Sequence, residues 1–298
     1  MTRIFGWMLG FCLVGCTTAV PPTAPDAAAD VAADAAVADV AAPTDLAAAD
    51  TAAADTAATD AADATPADAG PVWVAGDRKL SGAAFFFSAT GVGAIDQQKD
   101  VTGATAYLLE FPQISQPVAA DGSFTFSGLP EGGEFTVAIV HPDYYPSLSP
   151  IIAIGKTDVS NVNFQVVTQL IAMYLGLLVG YDPSDPTQCQ MVVTVTAQGA
   201  NQDLWWAPGE PGATVTTAPV LPPEHGPFYF NTSVMPDKTL TQTTTDGGVL
   251  IAGAKPGVYT WTAHKDGVTF TTQRLKCVGG WLTNGVPPLG LQAGKNGG

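Results

Sequence analysis

The chain has 298 residues, with 11 Lys and Arg against 27 Asp and Glu, a formal net charge of −16 and a pI near 4.2. A phosphate-binding surface needs a basic stripe, and this composition cannot build one, so nucleic acid is excluded as a partner. Residues 17–70 hold 25 Ala, 10 Asp, 8 Thr and 5 Pro in 54 positions, whereas 23 of the 26 aromatic residues follow residue 70; the remaining 228 residues carry a net charge of −7 and suffice for one large domain or two of about 100 residues.

At the amino terminus Arg3 precedes an apolar run over residues 4–14 that includes Phe5, Trp7, Leu9, Phe11 and Leu13. Roughly 20 residues are needed to cross a bilayer as a helix, so the run is too short for a permanent span and reads as an export signal. It ends in Leu13-Val14-Gly15-Cys16, which resembles the bacterial lipobox. The resemblance implies a signal peptide over 1–15, cleavage before Cys16, and a diacylglycerol on the Cys16 sulfur. Several acyl chains, each CH₂ contributing on the order of 0.8 kcal/mol, would hold a soluble body at a membrane. Thr17 is not the Asp that resembles an inner-membrane retention signal, so outer-membrane or cell-surface localisation is expected.

From residue 16 to 70 an Asp recurs every four to six positions (Asp26, Asp30, Asp34, Asp39, Asp45, Asp50, Asp55, Asp60) among Ala, Thr and Pro. Alanine favours helix. The segment nevertheless has no large apolar face to bury, and its one-signed charge repels itself, so it reads as a solvated tether with a coil dimension of about 40 Å.

After Gly70 the punctuation changes to short apolar runs separated by Gly, Pro, Asp and Asn, the pattern of an all-β protein. Strands are predicted over 80–87, 105–110, 124–127, 135–141 and 162–167, then from 191 to 197, and over 214–217, 228–231, 240–244, 249–251, 259–265, 269–275 and 289–292. Phe124 and Phe126 share one face, as do Phe135, Val137 and Ile139; Met191, Val193 and Val195 face one way, Val192 and Thr194 the other. The two sets echo each other. Gly103-Ala104-Thr105 matches Gly212-Ala213-Thr214, and the turns Asp121-Gly122 and Asp246-Gly247 each lead through a Pro/Gly kink to a longer strand starting at Phe135 or Tyr259.

The run Asp121, Gly122, Phe124, Phe126, Leu129, Pro130, Gly132, Phe135, Val137 and Ile139 resembles the hallmark of the carboxypeptidase regulatory-like domains, which are transthyretin-like β-sandwiches. The second copy departs from it, with Val249 and Ile251 for the two Phe and Ala254 for Leu. The resemblance implies two tandem transthyretin-like or Ig-like β-sandwiches, the first over 71–168 and the second, with a short helix ahead of it, over 169–298. That helix is expected in the apolar stretch 168–180, ending near Gly176 or Gly180 and packed at the junction. The resemblance implies fold, not function.

Once Cys12 leaves with the signal and Cys16 carries lipid, Cys189 and Cys277 remain, and an oxidising compartment invites a disulfide, with adjacent antiparallel strands as the expected setting. His141, His225 and His264 form no zinc-peptidase signature, and no nucleophile elbow is present. A metal shared by His141 and His264, weak Ca²⁺ binding at Asp182 and Asp185, and an isopeptide set of Lys79 or Lys99 with Glu110 and Asn161 or Asn163 are all weighed; a repeated fold and a solvated linker explain the first two without any chemistry. Trp205-Trp206, in a Gly/Pro/Asp-rich loop, are the candidate binding residues: one ring could stack on a sugar or fill a partner's pocket, or both could cap the sandwich.

The sequence thus reads as a lipid-anchored, non-catalytic cell-envelope or cell-surface binding or scaffolding protein, with no catalytic residue, metal or cofactor assigned. Its partners would be the membrane through its anchor, and envelope polysaccharide or another surface protein. A carbohydrate-binding module is the sharper form of this reading. An envelope hydrolase with a site assembled from distant residues is the rival.

Overall fold

The computed structural model describes residues 72–87, 101–200 and 207–294, which lie in one compact unit over 64–298. The signal segment, Cys16, the tether, Lys99 and the Trp205-Trp206 pair fall outside the described residues.

The first half contains β1 (Arg78–Phe86), β2 (Thr105–Leu108), β3 (Phe111–Pro117), β4 (Ser123–Leu129), β5 (Glu134–Phe135), β6 (Val137–His141), β7 (Tyr144–Leu148), β8 (Ile152–Ala153) and β9 (Phe164–Val166). The helix α1 (Gln169–Val179) leads to the second half. There follow β10 (Cys189–Thr196), β11 (Thr214–Ala218), β12 (Phe228–Phe230), β13 (Pro236–Asp237), β14 (Gly248–Ala254), β15 (Gly257–His264), β16 (Gln273–Cys277), β17 (Leu282–Gly285) and β18 (Leu291–Gln292). The described residues are mostly β with one α-helix, as expected.

Each half is a sandwich. In the first, the sheet β4-β1-β9 stacks on β3-β2-β6-β7, and Leu80, Phe124, Phe126, Leu108, Val137 and Ile139 fill the space between. In the second, β11-β15-β16 stacks on a sheet containing β10 and β14, around Met191, Val193, Val249, Ile251, Trp261 and Leu275. The period-2 alternation read from the sequence chooses these residues: odd positions of β10 enter the core, and Val192 points to the opposite face.

The two larger sheets are one. β17 lies between β10 and β7 and runs parallel to both, with Leu282 opposite Gln190 on one side and Ser147 on the other, so a ten-stranded sheet crosses from one half to the other. Side chains cross the seam as well. Lys276 Nζ donates to Glu110 Oε1 at 2.5 Å, Arg274 Nη1 to Glu134 Oε1 at 2.5 Å, and Tyr145 Oη to the carbonyl of Pro183 at 2.7 Å. Tyr107 and Trp281 meet edge to face across it, with ring centroids 6.4 Å apart. Burial pushes the Tyr145 phenol up to about 12.

Several strand assignments change. Residues 240–244 form bends and irregular backbone rather than a strand, because the Thr243 hydroxyl and backbone are occupied tying Glu210, Gly212 and Ala213 together. The long strand over 135–141 breaks at Thr136 into β5 and β6, the Thr136 N–H being taken by Glu110 Oε2 at 2.9 Å. β3, β7, β8, β13 and β17 have no counterpart among the predicted strands. β17 is fully buried although it reads Leu-Thr-Asn-Gly.

α1 ends at the second of the two glycines the sequence offered, Gly180, with Gly176 inside the helix. Thr168 Oγ1 accepts the N–H of Ile171 at 3.2 Å, and Gly180 closes the C-terminus at φ 76°, a left-handed conformation in which a Cβ would be strained. The helix lies on the face of the shared sheet opposite the sandwich cores. There Ala172 and Val179 pack with Tyr145, Leu282 and Leu250.

The Cys189–Cys277 disulfide forms, with Cα atoms 5.6 Å apart. Its setting differs from expectation: β10 and β16 belong to different sheets, so the bond staples the two layers of the second sandwich rather than adjacent strands of one sheet. It spans 88 residues, and on the chain-entropy model it stabilises by about 4 kcal/mol. Mass spectrometry of the purified protein should find one disulfide, and a Cys189→Ser, Cys277→Ser variant should melt on the order of 10 °C lower.

The seam pairs differ in environment, and this sets a second expectation. Glu110 is largely buried and also caps Thr136, whereas Arg274 and Glu134 are both about half exposed. Glu110→Ala should cost about 2 kcal/mol in denaturant unfolding, and Arg274→Ala under about 0.5 kcal/mol.

Candidate functional site

A half-open, mostly apolar concavity of about 190 Å³ lies on the helix side of the shared sheet, at the seam. Its walls come from both halves: Val167 follows β9, Leu175 comes from α1, Val192 from β10, Phe230 from β12, and Leu282 and Asn284 from β17. The surface is mostly apolar, and no Lys, Arg or His side chain lines it among the described residues.

Two polar groups stand out in this wall. Asn284 is 3% exposed; its Nδ2 donates to the Gln165 carbonyl at 3.0 Å, while its Oδ1 has no hydrogen-bond partner. Asp246, the turn residue read from the sequence as half of an Asp-Gly hairpin signal, accepts the Gly248 N–H at 2.9 Å through Oδ1. Desolvation pushes its carboxyl above the ordinary Asp value, the Gly248 bond pulling the other way.

The rim is built by the segment that resumes at Ala207. Gly209 N–H reaches the Thr245 carbonyl at 2.9 Å and Glu210 N–H the Val195 carbonyl at 2.8 Å. The approach is so close that a Cβ on Gly209 would stand 2.2 Å from the Gly247 nitrogen. Glu210 fastens the rim: its carboxylate takes the Lys265 ammonium on one oxygen and the Gln198 N–H on the other at 2.9 Å.

A second surface feature belongs to α1. Leu170, Met173, Tyr174, Leu177 and Leu178 stand at spacings of three and four and form an apolar ridge in solvent, Leu170 and Leu177 being 75% and 72% exposed. The helix contains no Asp, Glu, Lys or Arg.

The other candidate residues do not converge. His141 accepts the Asp143 N–H on Nδ1 at 3.1 Å and so presents its Nε2 proton to the Thr102 carbonyl at 3.1 Å. His264 Nε2 pairs with Thr216 Oγ1 at 2.8 Å, and His225 Nδ1 with the Ala252 carbonyl at 3.0 Å. Among the described residues no group of three or more His, Cys, Asp or Glu is arranged to hold a metal ion. Asp182 and Asp185 each close their own turn, accepting the N–H and hydroxyl of Ser184 and of Thr187 respectively, and those bonds lower both carboxyls. Glu110 meets Lys276 rather than Lys79, and Asn163 Oδ1 is taken by the Ala83 N–H at 2.8 Å, so Lys79, Glu110 and Asn163 form no isopeptide set; Lys99 lies outside the described residues. Trp205 and Trp206 lie outside the described residues. Sequence reasoning missed the cavity because its polar wall residue, Asn284, sits in a segment with no strand signature.

No protein-family model matches the chain, and no curated protein matches it in sequence. Among solved structures, the Bacillus anthracis TIE protein is similar over 73% of this chain at 11% identity with a TM-score of 0.23. The chain spans about a third of that protein, 34% of its length. The minor pilin GBS52 of Streptococcus agalactiae is similar over 74% of this chain and 98% of its own, at 9% identity and a TM-score of 0.21. A streptococcal ancillary pilin is similar over 73% of this chain and 69% of its own, at 11% identity and a TM-score of 0.22.

The Glu210 latch makes the rim acid-sensitive. The Lys265 hydrogen bond first, and the Gln198 N–H second, hold its carboxyl below its ordinary value of 4.5. A carboxyl depressed in the folded state stabilises above its unfolded value and loses that contribution as pH falls through the folded one. The melting-temperature gap between the wild type and Glu210→Gln should therefore be widest near neutral pH and close as pH falls below the ordinary value of 4.5 and through the lower folded-state one.

Proposed function

We propose that the protein is a lipid-anchored display protein of the cell envelope or surface that binds or scaffolds a partner and catalyses no reaction. The lipobox-like Leu13-Val14-Gly15-Cys16 supplies the anchor, the Asp-rich segment over 16–70 the spacing, and the carboxypeptidase regulatory-like resemblance of the first half fits an accessory module. The observation that carries the reading is the ridge on α1. An 11-residue helix that buries Ala172, Leu175, Gly176 and Val179 exposes a second apolar face, and contiguous exposed apolar surface marks an interaction site. A docking surface on a body whose halves share one sheet presents its partner with a fixed geometry, which lowers the entropic cost of binding.

The ridge favours a protein partner; the Trp205-Trp206 pair favours polysaccharide. The full-length protein, exported by its own signal, separates the two. Cys16→Ser should move it to the soluble fraction or leave it as precursor. Leu170→Glu with Leu177→Glu should reduce retention on the envelope fraction at least tenfold while shifting stability by no more than about 1 kcal/mol, because both side chains already face water. If Trp205→Ala with Trp206→Ala abolishes retention on envelope polysaccharide and the ridge variant does not, the carbohydrate-binding reading replaces this one. Mature Cys16→Ser protein still partitioning to membranes would sink the anchor, and hydrolysis of envelope material would sink the non-catalytic reading.

A further inference from the structure

The ridge on α1 has a symmetry of its own. Leu170 and Leu177 stand two turns apart with Met173 and Tyr174 midway between them, so the row reads alike from either end. Two such helices laid antiparallel set each copy's Leu170 against the other's Leu177. The Met173 thioether of each then meets the Tyr174 ring of the other, a favourable sulfur–aromatic contact.

The charges at the two ends of the helix repeat this symmetry. At the amino-terminal end Gln169 Nε2 donates to the Tyr144 carbonyl at 3.3 Å, which holds the exposed Asp143, in the turn between β6 and β7, beside the start of α1. At the carboxy-terminal end the exposed Lys238 has its Nζ 3.5 Å from where a Cβ on Gly180 would stand. Neither Asp143 nor Lys238 forms an ion pair among the described residues. Asp182 and Asp237 also lie at the Lys238 end, but their carboxylates already accept from Ser184 and Thr239. Eleven residues rise about 16 Å, so antiparallel pairing carries each copy's Lys238 to the other's Asp143.

We propose that the occupant of the ridge is a second copy of this chain, docked through an antiparallel α1–α1 contact about a two-fold axis between Met173 and Tyr174. The proposal rests on the ridge as a docking surface and names its partner. The five ridge side chains are between 37% and 75% exposed and offer roughly 500 Å² per copy, twice which reaches the about 1,000 Å² that a specific interface must clear. A bilayer is the poorer occupant, because a helix that lies on anionic headgroups needs basic residues and α1 has none. The net charge of −16 opposes pairing, but beyond about 8 Å that repulsion is screened at physiological salt. A paired protein presents two copies of every other surface, so breaking the ridge lowers envelope retention through valency.

Cross-linking of the full-length protein in its envelope is the test. Met173→Cys, beside the two-fold axis, should give a disulfide-linked dimer on a non-reducing gel; Val220→Cys, 86% exposed and off the ridge, should not. Leu170→Glu with Leu177→Glu should lower the Met173→Cys dimer yield at least fivefold, with the Cys189–Cys277 bond intact as the check on folding. Lys238→Glu and Asp143→Lys should each weaken dimerisation several-fold, and producing the two variants together should restore it between them, which only a Lys238–Asp143 contact across copies explains. Soluble Cys16→Ser protein should sediment as a dimer with a micromolar dissociation constant. A monomer at every concentration, with Met173→Cys linking no better than Val220→Cys, overturns the second copy as occupant. If the ridge variant then still loses envelope retention, the ridge keeps its role with another partner; if retention is unchanged, that reading falls as well. Flotation of the soluble Cys16→Ser protein with phosphatidylglycerol vesicles, lost in the ridge variant, would assign the face to a membrane and also overturn the proposal.

Discussion

β17 is the strand on which the architecture depends. It runs parallel to β10 on one side and to β7 on the other, so its two rows of backbone groups are satisfied by different halves of the molecule. Without it each half would expose a sheet edge of unpaired N–H and C=O groups, a surface that proteins otherwise blunt or cover. Its polar residues suit this position. The Thr283 hydroxyl donates to the Lys276 carbonyl, tying β17 to the opposing layer, and Asn284 reaches the Gln165 carbonyl. A short strand thus carries backbone pairing, layer stacking and half-to-half contact at once.

That economy explains what the sequence made legible and what it did not. β4, β10 and β15 carry period-2 alternation with large apolar residues, because one face of each looks into a sandwich core and local pattern is enough to reveal it. The end of α1 was readable to within about one turn, at Gly176 or Gly180, from the apolar run that carries them. β17 was invisible: a central strand with neighbours on both sides needs burial, and Leu-Thr-Asn-Gly meets that need through side-chain hydrogen bonds to distant segments rather than through apolar bulk. β7 was hidden for a related reason, its Pro146 arguing against a paired strand. The disulfide was predictable as a bond from cysteine arithmetic, but which layers it joins depends on stacking, which leaves no trace in spacing.

The candidate site follows the same division. Asp246 was recognised as a turn residue, and its second aspect, a carboxyl raised by desolvation in a cavity wall, exists only because the rim segment from Ala207 to Glu210 packs over it. Asn284 gave no signal at all. The ridge was half legible: the apolar run implied a buried helix, and the helix does bury one face, but an apolar helix lying on a flat sheet can cover only the residues beneath it, and the others remain in water.

The pairing of β1 with β9 also has a mechanical meaning. The two strands are parallel, with Ala84 opposite Phe164 and Phe86 opposite Val166; β1 is the first strand of the body and β9 ends three residues before α1 begins. A pull exerted between the amino-terminal end of the body and the helix would draw the start of β1 and the end of β9 in opposite directions along their common axis. The hydrogen bonds between them would then be strained together in shear, rather than opened one at a time as in the peeling of a hairpin. The second sandwich, with its layer-spanning disulfide, lies off that line of force and would not be asked to carry it.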